Sequence, residues 1–164
     1  MKPPPARSQR PRTLARVAAV QALYQSGQGD NPETVIEQFI RHRIGGLPGE
    51  WFEDGRLPAA HIPLFGQIVR IAVAQQDVID RLIAERLPAD WPMNRLDPVL
   101  LALLRAAAAE LWMTDGPPVR VVINEYLDVA HGFFDPEAAQ LANAVLDRIA
   151  RVLRDAEFAP TDPS

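Results

Sequence analysis

The chain has 164 residues, 48% hydrophobic and 23% charged with a net charge of −4, which suits one domain with a sizeable core and argues against general disorder. Cysteine is absent, which excludes a disulfide framework, a thiolate metal site and a cysteine nucleophile. Charges break the apolar stretches well short of the roughly 18 residues a membrane span needs, and no signal peptide is visible, so the expectation is a soluble cytoplasmic protein with no membrane partner.

The first sixteen residues carry Lys2, Arg7, Arg10, Arg12 and Arg16 and no acid, so the rest of the chain holds 12 basic and 21 acidic residues, a charge of −9. A basic arm on an acidic body points toward nucleic acid. Pro3, Pro4, Pro5 and Pro11 predict an extended arm over residues 1–11. A helical body is expected over 12–156 and a frayed tail over 157–164.

The first predicted helix runs from about Arg12 to Ser26, with Leu14, Val17, Ala18 and Gln21 alternating with Arg16, Ala19 and Gln25, and stops at Gly27 and Gly29. Asn31 caps the second, Pro32 suits its first position, and Val35, Ile36, Phe39 and Ile40 form its apolar stripe. Residues 45–60 hold four glycines and two prolines and read as a loop, with Trp51 and Phe52 covering a core edge. A long helical stretch follows from Pro63 to Leu87, with a weak point at Gln75-Gln76-Asp77. Asp97-Pro98 opens a helix apolar nearly all round, hence central. Pro117-Pro118 separates it from a helix over Val119–Phe133, and Asp135-Pro136-Glu137 opens the last, with Leu141, Val145, Leu146 and Ile149 facing inward. The fold expected is all-α, a single compact domain of six or seven helices.

Chemistry-bearing motifs are missing. There is no glycine-rich phosphate loop, no His-Glu-x-x-His and no Gly-x-Ser-x-Gly. His42, His61 and His131 are scattered and read as surface or helix-end residues. Glu53-Asp54 and the Asp128–Asp135 pair read as solvated or capping carboxylates. No catalytic residue, metal ligand or cofactor is assigned, and the chain is not expected to be an enzyme.

Four blocks carry a resemblance. Ala15-Arg16 followed by Ala19-Val20-Gln21-Ala22-Leu23-Tyr24-Gln25 resembles the opening signature of the transcription antitermination factor NusB family. Leu103-Leu104-Arg105 with Ala108-Ala109-Glu110-Leu111, then Val119 to Tyr126, then Asn143-Ala144-Val145-Leu146-Asp147, continue it in order across residues 12–149. The resemblance implies two packed helical subdomains and no catalysis. It also implies binding of the boxA element of ribosomal RNA leader transcripts, with the ribosomal protein NusE as partner, and entry into an RNA polymerase complex that suppresses premature termination. Some relatives pair as homodimers through the RNA-binding face. Two other classes stay open: a protein-interaction adaptor whose arm is incidental, and a stand-alone relative of the helical domain that precedes some ribosomal RNA cytosine methyltransferases.

Arg7, Arg10, Arg12 and Arg16 are the phosphate candidates, Arg12 and Arg16 being ordered by the helix; the alternative for Arg16 is a salt bridge. Gln21 is a further RNA candidate and Tyr24 a partner candidate, each weighed against helix packing. The family match places Asn143 near RNA, against a buried amide. Leu100 and Leu101 stand where relatives commonly have an acid–base pair, which marks a greasier partner surface. Arg105 and Glu110 interrupt an apolar helix and are expected to reach a rim or a nearby partner. Relatives also often carry further arginines where this chain has Thr13-Leu14.

Overall fold

The computed structural model describes residues 10–27, 29–43 and 60–159. Arg7, the Trp51 and Phe52 loop, Glu53-Asp54 and the last five residues lie outside these, as does the side chain of Arg10. The described residues form eight α-helices: α1 Arg10–Gln25, α2 Pro32–Arg43, α3 Ile62–Ala74, α4 Gln76–Arg86, α5 Pro98–Trp112, α6 Val119–Phe133, α7 Pro136–Leu153 and α8 Asp155–Phe158. A single 3₁₀ turn, Met93–Arg95, precedes α5. The architecture is all-α.

Local chemistry sets several of the helix starts. The Asn31 carboxamide oxygen accepts from the backbone N–H of Glu33 at 2.9 Å, Asp97 accepts from Val99 at 2.8 Å, and Asp135 accepts from Ala138 at 2.9 Å. Each cap is followed by a proline, whose missing N–H costs nothing in a first turn. Gly29, with φ +87°, supplies the left-handed turn between α1 and α2. The stretch from residue 63 to 87 is two helices rather than one. Gln75 leaves helical geometry (φ −108°, ψ 22°) and ends α3 while opening α4 without a side-chain cap.

Helix α5 is the axis of the body. Ala102 to Leu104 and Ala106 to Leu111 are all buried. On one side α1 and α3 pack against it, with α2 behind α3; on the other lie α6 and α7, and α4 reaches both α5 and α7. The alanine run Ala106–Ala109 lets helix backbones approach closely.

Helix α1 departs from its predicted face. Ala15, Arg16, Ala18, Ala19, Val20, Ala22 and Leu23 are all buried, whereas Leu14, Val17 and Gln21 are only half-buried. The reason is packing on several sides, against α2, α3, α5 and α6. The C-terminal boundary also differs from expectation: Glu157 and Phe158 belong to α8 and are tied to the body instead of starting a tail. Arg154 is 5% exposed, and its guanidinium donates to the carbonyls of Glu110, Leu111, Met113 and Pro117 and to the Glu157 carboxylate. Glu157 in turn accepts from the backbone N–H of Val119 at 3.0 Å and so caps α6.

Candidate nucleic-acid interface

The first turn of α1 follows the basic leading residues in sequence and is held at two points. The His61 backbone N–H donates to the Pro11 carbonyl at 2.8 Å, while the His61 ring nitrogen Nδ1 accepts from Leu64 N–H and caps α3. From α6, Glu125 Oε2 accepts from the Thr13 hydroxyl at 3.1 Å. Arg12, between these points, is exposed. It is the one phosphate candidate among the four whose described side chain stands in solvent.

Arg16 has a different place from the one predicted. It is 3% exposed, and its Nε and Nη2 donate to the two oxygens of Glu110 at 2.8 and 2.7 Å, with Nη1 3.4 Å from Glu125. Tyr126 donates its hydroxyl to the same Glu110 carboxylate at 3.0 Å. Burial opposes charge on Arg16, but the hydrogen bond and the negative charge of Glu110 outweigh it and hold the guanidinium above its ordinary range. Burial, reinforced by the Glu110 charge, pushes the Tyr126 phenol well above its ordinary value, so it stays a neutral donor. Arg16 is therefore a core residue neutralising a buried carboxylate, not a phosphate contact. Glu110 does not reach a rim either; Arg105 does, pairing with Asp80 at 2.8 Å.

A recess of about 200 Å³ opens between the second half of α1, the start of α5 and the end of α6, lined by Val17, Val20, Gln21, Tyr24, Val99, Val129 and Phe133. Tyr24 and Phe133 are 54% and 61% exposed at its edge. The side-chain oxygen of Gln21 is buried without a hydrogen-bond partner among the described residues. Leu100, predicted to meet a partner, is 2% exposed and belongs to the core; its neighbour Val99 lines the recess instead, and Leu101 is half-buried. On an apolar helix a single-residue offset turns the side chain by about 100°, and the sequence pattern there does not mark which residue faces out.

A second cleft, about 400 Å³, lies where α6 begins, lined by Pro118, Val119, Arg120, Ile123, Asn124, Asp147, Glu157 and Phe158. Arg120 and Asn124, one turn apart, are exposed there. Asn143 is exposed on α7, one turn before Asp147, so it is not the buried amide of the alternative reading. Neither Arg120 nor the recess residues Val129 and Val99 stood out in sequence; Arg120 is a lone charge whose position beside the cleft depends on the fold.

His42 and His131 are exposed on separate helices, and among the described residues no group of three or more His, Asp or Glu could hold a metal ion. No described helix is long and apolar enough to cross a membrane.

The NusB family model matches residues 13–151. Among relatives, the transcription antitermination protein NusB of Granulibacter bethesdensis is 61% identical over 155 residues, covering 93% of this chain and 95% of that protein. The protein of the same description from Gluconobacter oxydans is 52% identical, covering 90% and 91%. Among solved structures, T. maritima NusB superposes with a TM-score of 0.67 at 25% identity, covering 96% of this chain and 99% of the other. A crystal structure of antitermination factors NusB and NusE in complex with dsRNA superposes at 0.63 and 23% identity, covering 85% and 96%, and at that distance speaks to the fold alone. A family match over residues 13–151, near-full-length identity of up to 61% among these relatives and the shared all-α fold agree on one assignment: the chain belongs to the NusB family.

Proposed function

We propose that this chain is a non-catalytic transcription antitermination factor that binds the boxA element of ribosomal RNA leader transcripts together with NusE. The complex joins RNA polymerase in the cytoplasm and suppresses premature termination. The observation that carries the reading is the exposed Arg12 on the clamped first turn of α1, at the root of an all-basic leading segment on an otherwise acidic chain of this family. Arg7, Arg10 and Arg12 meet phosphates, and Asn143 and Gln21 are the further contacts proposed for RNA. Tyr24, with Val99 and Phe133 beside it, forms the surface proposed for the protein partner, where an exposed aromatic pair edges an apolar recess; Leu101, two residues on from Val99 along α5, lies outside that recess. The high coverage of relatives bearing the antitermination description favours it over an adaptor or a methyltransferase fragment.

The test is a fluorescence titration with a boxA-like RNA, with and without NusE, across a series of salt concentrations. Binding that weakens steeply with salt is expected. Arg12→Ala weakens it several-fold and makes the slope against salt shallower by about one counterion, with melting unchanged. Absence of binding both with and without NusE refutes the reading.

A further inference from the structure

The carboxylate of Glu125 is harder to explain than that of Glu110. Glu110 already engages Arg16 with both oxygens, at 2.8 and 2.7 Å, and is fully buried. Glu125 is not needed to neutralise that guanidinium. Its side chain is 22% exposed, and it places a second negative charge beside the root of a basic arm. On electrostatic grounds alone, such a charge opposes the approach of a polyanion. What Glu125 does with it is geometric. One oxygen, Oε2, takes the Thr13 hydroxyl at 3.1 Å and lies 3.4 Å from Arg16 Nη1, so a single atom of α6 ties two successive turns of α1. The Pro11 carbonyl is fixed from the opposite side by the N–H of His61. Arg12 lies between the two attachment points.

We propose that Glu125, acting through the Thr13 hydroxyl, is a positioning residue for RNA: it fixes the first turn of α1 and presents Arg12 in the orientation that binds. The proposal rests on the RNA-binding reading above. Ordering that turn in advance removes a conformational cost that binding otherwise carries.

The test uses the full chain and a single-stranded boxA-like RNA, read by fluorescence anisotropy at several salt concentrations alongside thermal melting. Thr13→Val keeps the shape and removes the hydroxyl; it lowers affinity by about tenfold, the scale of one hydrogen bond to a charged group. Thr13→Ser restores affinity. Glu125→Ala loses it, whereas Glu125→Gln, which keeps an acceptor and drops the charge, retains it within about twofold. Because no cation is lost in these variants, the slope of affinity against salt stays that of the unaltered protein, in contrast to Arg12→Ala. Wild-type affinity in Thr13→Val overturns the positioning role alone, as does a loss of affinity that appears only where melting also collapses. A rise in affinity in both Glu125 variants overturns it too, since that is the behaviour of a merely repulsive charge. An unaltered protein that fails to bind RNA overturns the proposal and the functional reading together.

Discussion

Glu110 sits fully buried in the last turn of the central helix α5, and it is tolerable there only because Arg16 and Tyr126 between them satisfy its oxygens. Removing one partner strands the other charge. Arg16→Ala or Glu110→Ala is expected to destabilise the fold by about 3–5 kcal/mol, measured by urea denaturation followed by helical circular dichroism. Tyr126 adds a pH dependence. Its folded phenol ionises well above the ordinary value of 10.0, whereas the unfolded phenol ionises near it. Its contribution is therefore complete below about pH 10 and is lost as pH rises toward the folded value. Denaturation midpoints should fall between about pH 10 and 12 in the wild type, and Tyr126→Phe should remove part of that fall. The sequence displayed the arginine but not its burial, because the compensating carboxylate lies 94 residues away.

At the level of elements, the C-terminal turn behaves as a strap. Arg154 collects carbonyls from the end of α5 and from the connection to α6, and Glu157 closes the first turn of α6. The Val119 N–H first, and Arg154 second, hold the Glu157 carboxyl below its ordinary value. Arg154→Ala is expected to cost about 3 kcal/mol in urea denaturation, since several buried carbonyls lose their donor. Arg154→Lys should not recover it, because a single ammonium does not span them. The helix starts at Asn31, Asp97 and Asp135 were legible because a cap acts within three residues of itself. The strap was not. Its short helix has only four residues, too few for a periodic signal, and its partners lie about forty residues upstream.

Across the whole molecule, most of the helices and the central place of α5 followed from hydrophobic period and proline punctuation, both dense in this chain, whereas the two helical groups around it were implied by the resemblance to the NusB family. Which face of α1 points outward did not follow, since alanine packs as readily inside as out. The same limit governed the proposed surfaces. Arg12, read as a phosphate candidate, is exposed; Leu100, read as a partner contact, is buried while its neighbour Val99 lines the recess, and nothing in the sequence marked the Gln21 oxygen as lacking a partner among the described residues. The distance along the chain between Arg16 and Glu110 also bears on synthesis. A ribosome adding about 5–20 residues per second completes α1 roughly 5–20 s before residue 110 has been joined. For that interval the nascent α1 has no native seat for its guanidinium, and it docks only once translation has delivered the central helix.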